Sequence, residues 1–368
     1  MNNPSWNRIV IKVGSALIAP ERNGCSSHYL LSIASFIVRC RQQGTQVVLV
    51  SSGSVAAGAH LFEETQGSAI SDKKAMAAAG QTEMMATWDR LFDFSSAQIL
   101  LTHADLRDRE RFLSIRETMD SLLDNDILPI VNENDTITTD RLKVGDNDNL
   151  SAMVAAAANA DALIICSDID GLFDSNPQLN PDALLISEVN EITEQIYAMA
   201  GGATSAVGTG GMKTKIQAAE KAVSQGISTY IINGFKQESF DALLQGKNPG
   251  TVFHPHETPL QESKHWVRHT TKALGEIVVD DEFSLSPERG VDYLSSSDLI
   301  GVVGEFAVGD VVLLRTGSGE KLAKAKTNYS SCLLDFVTKQ DDDALNQQID
   351  RTPKPILSDK FSAMMETQ

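Results

Sequence analysis

Two sets of lysines stand beside glycine turns. Lys12 lies in Arg8-Ile9-Val10-Ile11-Lys12-Val13-Gly14-Ser15, two residues before a glycine. A second set lies in Gly208-Thr209-Gly210-Gly211-Met212-Lys213-Thr214-Lys215, just before a predicted helix. Glycines let backbone N–H groups approach phosphate oxygens, a helix N-terminus adds partial positive charge, and lysines neutralise the anion. Two separated lysines of this kind suit in-line phosphoryl transfer. One holds the β/γ-phosphate of a nucleotide while both offset charge that spreads over the transferring oxygens. Each segment also has a plain reading: a strand-end lysine snorkelling to the rim, and a flexible surface loop. Neither the Gly-Lys-Ser/Thr of a P-loop nor a G-x-G-x-x-G occurs.

Carboxylates and amides cluster between these lysines. Asp148, in Val144-Gly145-Asp146-Asn147-Asp148-Asn149-Leu150-Ser151, can cap the Ala-rich helix that follows. A carboxylate near two catalytic lysines would also keep both charged and aimed, and the two roles are compatible. The alternation of Asp and Asn there is not a calcium loop, since the twelve-residue spacing and closing glutamate are missing. Asn132, Asn134, Asp135 and Asn147 offer oxygens suited to an α-ammonium group, which points to an amino-acid substrate. His254, His256, His265 and His269 have no carboxylate partner in the pattern and read as surface residues, so no protein metal site is expected. No Gly-x-Ser-x-Gly is present.

The elements that must position these residues alternate. Strands are predicted over 8–13, 46–50, 98–102, 127–131, 162–166 and 229–232, with helices over 27–43, 73–94, 109–123, from 148 onward, and 213–225. Apolar strands without polar alternation, separated by helices, predict an α/β fold with a parallel sheet covered on both faces. Ligands then gather at the carboxyl ends of the strands. Those ends read Lys12-Val13-Gly14-Ser15, Ser51-Ser52-Gly53-Ser54, Asn132-Glu133-Asn134-Asp135 and Ser167-Asp168. Around 251–258, Pro249, Pro255 and Pro259 predict an extended connector. Beyond it, short runs at 275–280, 299–304 and 309–314 predict a small β-rich domain, and residues from about 339 read as a loosely held polar tail.

The chain has 368 residues and a formal charge of −18, too long for one simple core and too acidic for non-specific binding to nucleic acid or anionic lipid. Residues 261–368 are themselves acidic, although Arg315, Lys321, Lys324 and Lys326 form a local basic group that reads as a solvated edge. Four separated cysteines, Cys25, Cys40, Cys166 and Cys332, predict free thiols packing as small apolar residues in a reducing compartment. No signal stretch or membrane span is expected, which predicts a cytoplasmic protein.

Six segments in order resemble the amino acid kinase family, and within it the branch that phosphorylates glutamate. They are Ile11-Lys12-Val13-Gly14-Ser15, Ser51-Ser52-Gly53, Asp108-Arg109-Glu110-Arg111-Phe112, Val131-Asn132-Glu133-Asn134-Asp135, the run 143–151, and the run 208–215. The resemblance covers about 9–258. It implies a three-layer αβα kinase domain with a mostly parallel sheet over 1–260, a linker over 261–273, a PUA-like β domain over 274–338 and a tail over 339–368. It implies transfer from ATP, with Mg2+, to the γ-carboxylate of L-glutamate, the first step of proline synthesis. The roles it implies are Lys12 and Lys215 as phosphate-neutralising groups positioned by Asp148, and Ser52, Asp135 and Asn147 as glutamate ligands. For ATP it implies Lys12, Ser167, Asp168, Thr209, Gly210, Gly211, Met212, Lys213, Thr214 and Lys215, where the family more often has threonine at position 167. It further implies feedback inhibition by proline, a homodimer or tetramer, and hand-over of product to glutamyl phosphate reductase. Another carboxylate acceptor, or an RNA-binding or regulatory role for the PUA-like part, stands as the alternative.

Overall fold

The side chains of Ile9, Val10 and Ile11 have no solvent exposure on either face, the condition under which a strand without polar alternation forms. The structure is a computed structural model. It describes residues 6–62, 70–137, 147–200, 211–255, 273–283, 285, 291, 294–295, 298–338 and 355–364. The chain divides into two units, Met1–Pro259 and Leu260–Gln368.

The first unit begins β1 (Arg8–Val13), α1 (Ser15–Ile18), α2 (Leu30–Gln42), β2 (Gln46–Ser51), α3 (Ser54–Gly58) and α4 (Ile70–Asp89). It continues β3 (Ser96–Leu101), α5 (His103–Arg107), α6 (Arg109–Asp124), β4 (Leu128–Glu133), α7 (Asn147–Ala157) and β5 (Ala162–Ser167). Three short strands follow, β6 (Leu172–Phe173), β7 (Leu185–Ile186) and β8 (Glu188–Val189). The unit ends α8 (Glu194–Met199), α9 (Met212–Val223), β9 (Ser228–Asn233), α10 (Gln237–Leu244) and β10 (Thr251–Phe253).

Eight strands form one sheet in the order β3-β4-β2-β1-β5-β9-β10-β8. Every pairing is parallel except β9 with β10. The expected mostly parallel α/β sheet is therefore present. Its main core joins β1, β2, β4 and β5 to α2 and α10, with Phe36, Ile37, Trp88 and Phe240 among the fully enclosed side chains. From β1 the chain crosses to β2 on one side, whereas β5 leads to β9 on the other. The crossovers thus diverge between β1 and β5, where an open α/β sheet leaves a crevice at its carboxyl ends.

One expectation fails in this unit. Thr251–Phe253 is not a connector but an antiparallel strand, because Val252 and Phe253 are buried and Thr251 bonds to two neighbouring segments. Its hydroxyl accepts from Leu172 N (2.8 Å) and donates to Ile186 O (2.6 Å).

The second unit contains β11 (Gly275–Val279), β12 (Leu299–Val303), β13 (Val311–Thr316), β14 (Lys321–Thr327), α11 (Ser331–Val337) and β15 (Leu357–Met364). Its sheet order is β12-β11-β13-β14-β15, over its own core of Ile277, Val279, Val312, Leu314, Ala323, Ala325 and Leu357. The loose tail expected from 339 onward is contradicted over 357–364, which pairs antiparallel with β14. Without it β14 would present an unpaired row of backbone donors and acceptors. Arg315 of the predicted basic group is ion-paired with Glu276 at 2.6 Å. The cysteines are free, but only Cys40 and Cys166 are buried. Cys25 is half-buried and Cys332 is exposed, against the expectation that each packs inside. Among the described residues, no helix is long and apolar enough to cross a membrane.

Candidate active site

Lys12 is the last but one residue of β1, in register with Val50 of β2 and Ile165 of β5. Its ammonium group lies 2.6 Å from Asp148 Oδ1. Asp148 Oδ2 lies 3.2 Å from Lys215 Nζ and accepts from the Thr214 hydroxyl at 2.7 Å. Three elements distant in sequence, β1, α7 and α9, therefore meet at one carboxylate. All three charged side chains are less than a tenth exposed. Two cations against one anion leave a surplus positive charge in a sheltered position.

Burial lowers the Lys12 ammonium below its ordinary value, with Lys215 adding to the effect and Asp148 opposing it. Burial alone would raise the Asp148 carboxyl. The two ammonium groups, with the bonds from Lys12 and Thr214, outweigh it and hold Asp148 well below the usual carboxylate range. Asp148 is thus an anion engaged on both oxygens and a poor proton acceptor. It is also not the helix cap that the sequence allowed. α7 already begins at Asn147, so Asp148 lies in the first turn and its side chain goes to the lysines.

A second cluster adjoins the ends of β2 and β4. Ser52 is buried and its N–H donates to Val13 O (3.0 Å). Gly53 follows at φ +100, and an added Cβ would lie 2.9 Å from that of Ile18. This left-handed turn swings the chain into α3 and is strained for any other residue. Ser54 then donates to Asp135 Oδ2 (3.0 Å). Asp135 Oδ1 is sealed from water with no partner among the described residues, and burial raises the carboxyl despite the Ser54 bond. Asn147 donates to Asn132 Oδ1 (2.6 Å) and to Ser51 O (3.3 Å).

Ser167 ends β5 beside β1, Asp168 follows it, and the Ser167 hydroxyl donates to Asp168 (3.0 Å). Ser167 is buried and Asp168 exposed. At the start of α9, Met212 and Lys215 are buried while Lys213 is exposed, so the structure brings Lys215 but not the Lys213 side chain to Asp148. Gly211 precedes that helix. Thr209 and Gly210 lie outside the described residues.

The profile of the amino acid kinase family matches residues 7–233, the span that contains both clusters. The chain belongs to the amino acid kinase family. Among curated relatives, Glutamate 5-kinase 1 of Pseudoalteromonas translucida is 60% identical over 366 residues, covering 100% of each chain. Glutamate 5-kinase of Idiomarina loihiensis is 52% identical, with 96% of each chain covered. Glutamate 5-kinase of Salinibacter ruber is 45% identical, with 95% of each covered.

In this amino acid kinase the structure also joins side chains in ways that no spacing in the sequence shows. In the sequence Ser54 is simply part of a strand end, and no spacing links it to Asp135, 81 positions away. Thr214, part of the loop expected to bind nucleotide, also donates its hydroxyl to Asp148. Ser51 supports the second cluster from below, where its hydroxyl accepts from the Trp88 indole N–H (2.9 Å). The close seating of α4 on α3 is likewise absent from any pattern in the sequence. A Cβ on Gly80 of α4 would lie 2.0 Å from Ser54 O and 2.4 Å from Gly58 N, so the α4 backbone is seated directly on α3.

Proposed function

We propose that this chain transfers the γ-phosphoryl group of ATP to the γ-carboxylate of L-glutamate, giving ADP and L-glutamyl 5-phosphate. The observation that carries the reading is the buried Lys12–Asp148–Lys215 arrangement at the crevice between β1 and β5. The names of the relatives support glutamate as the acceptor.

Attack by a carboxylate on a γ-phosphate brings two anions together, so charge neutralisation and alignment should supply most of the acceleration. Lys12 and Lys215 supply the charge, and Asp148 keeps them apart and aimed. No general base is needed, because a carboxylate is already deprotonated at neutral pH. Asp135, with one oxygen unpartnered, suits the α-ammonium group, with Ser52 and Asn147 completing the acceptor site. Ser167, Asp168 and the segment from Thr209 to Lys215 form the ATP site. Among the described residues no three His, Cys, Asp or Glu side chains form a metal cage. In this reading a magnesium ion would come with the nucleotide phosphates and offset their charge.

The same reading places the enzyme in the cytoplasm at the entry to proline synthesis. Proline competes near the acceptor site, the product passes to glutamyl phosphate reductase, and the enzyme is a homo-oligomer. Residues 274–338 form a PUA-like domain in this reading, joined through 261–273 to a kinase domain over 1–260.

The test is hydroxamate trapping, since an acyl phosphate reacts with hydroxylamine. Folded protein with ATP and magnesium should form hydroxamate with glutamate in preference to aspartate or acetylglutamate. No glutamate-dependent hydroxamate would sink the assignment.

A further inference from the structure

Below the acceptor cluster runs a chain of amides whose direction is set at both ends by backbone groups. The Glu133 N–H donates to Asn132 Oδ1 (2.8 Å), and Asn147 Nδ2 donates to the same oxygen and to the Ser51 carbonyl. A backbone N–H only donates and a carbonyl only accepts, so the orientation of both asparagine amides is dictated. Asn132 must turn its own nitrogen the other way, where it donates to Gln81 Oε1 at 2.8 Å.

Gln81 lies on α4, 51 positions from Asn132, beside the Gly80 that seats this helix on α3. Its Nε2 is sealed from water with no partner among the described residues. A buried donor left unpaired is unfavourable. Reversing the Gln81 amide, however, would set two donors face to face and break the relay at Asn132. The unpaired nitrogen is the cost of offering an oxygen to Asn132.

We propose that Gln81 is a positioning residue for the acceptor amino acid. By accepting from Asn132 it anchors that side chain in the orientation the backbone groups dictate, so that the Asn147 nitrogen stays on Ser51 and Asn132 and its carbonyl oxygen is left for the substrate ammonium group. This rests on the acceptor site proposed above. Gln81 has no bond to Lys12, Asp148 or Lys215 among the described residues, so the nucleotide half of the reaction is independent of it.

The test uses full-length enzyme and hydroxamate kinetics, varying glutamate at saturating MgATP and ATP at saturating glutamate. Gln81→Met keeps the side-chain length but removes the acceptor, and should raise the glutamate KM about tenfold, the effect of one lost hydrogen bond. The ATP KM should stay within about twofold, and ATP should still raise Tm. In a double-mutant cycle the increases from Gln81→Met and Asn147→Ala should not multiply, because both act through one group. Gln81→Glu, which keeps an oxygen facing Asn132, should hold the glutamate KM within about threefold of wild type.

An unchanged glutamate KM in Gln81→Met overturns the proposal, as does an equal rise in both KM values. Multiplicative effects in the cycle do the same, and so does a Gln81→Glu variant as impaired as Gln81→Met. Wild-type enzyme that forms no glutamyl hydroxamate removes the acceptor reading and this inference together. An active wild type with an indifferent Gln81→Met removes the inference alone.

Discussion

Asp148 engages cations with both oxygens, and that single carboxylate ties stability to pH. Its folded pKa lies below the unfolded value, so its contribution is fully present above the ordinary carboxylate range and is lost as pH falls below it. Asp148→Asn strands two buried ammonium groups, which should cost roughly 3–5 kcal/mol at neutral pH and flatten the acid loss of stability. Denaturant titrations of both proteins between pH 3 and 7 check this; equal stability at pH 7 would refute it. Lys215→Ala keeps the Lys12–Asp148 pair and should fold, yet lose on the order of 10²–10³ in turnover, as when one oxyanion donor is removed. Near-normal turnover would take Lys215 out of the chemistry. Asp135 behaves oppositely to Asp148. Burial raises its pKa, so it is neutralised at a higher pH than an ordinary carboxyl and would release an ammonium partner there. The glutamate KM should climb as pH drops toward that raised value. Asp135→Asn should raise the KM about 10- to 100-fold, the scale of a charge-assisted bond, and remove the climb. An Asp135→Asn profile parallel to that of wild type would contradict the ammonium role.

Among the elements, α3 and α4 share the least forgiving contact. A methyl group at Gly80 would meet Ser54 O and Gly58 N, both backbone atoms that no rotamer can move aside. Gly80→Ala should cost about 1–3 kcal/mol or more by overpacking. Because Ser54 bonds Asp135, the glutamate KM should rise more than the ATP KM. Equal KM changes would separate this contact from the acceptor site. The contact also marks the limit of what was legible beforehand. Strands β1, β2, β4 and β5 announced themselves because burial on both faces demands continuous apolar runs, and Lys12, Asp148 and Lys215 stood out as charges beside such runs. The glycines of α3 and α4, the Ser54–Asp135 bond and the Gln81 relay join positions far apart in sequence, and no local period records a tertiary contact. β6, β7 and β8 have two residues each, too few to show alternation. β10 was hidden by its prolines, which flank the strand at Pro249 and Pro255 rather than interrupt it.

At the scale of the whole molecule, all described candidate residues lie in the first unit, and each unit has its own core. A chain ending after Pro259 should therefore keep glutamate-dependent turnover within about threefold, as expected of a domain able to fold alone. A folded but inactive truncation would show that the second unit completes the site. The net charge of −18 argued against binding polyanions in general, but it says nothing about one sheltered site with surplus positive charge. The second sheet carries a consequence for the timing of folding. β15 covers β14 but lies about 100 residues beyond β10, the last strand of the first sheet. At ribosomal speed the kinase unit is complete roughly 5–20 s before that covering strand emerges. β14 itself emerges only about 30 residues ahead of β15, so its edge stands open for roughly 2–6 s, and a translational pause between β14 and β15 would lengthen the time this edge can pair with a neighbouring nascent chain.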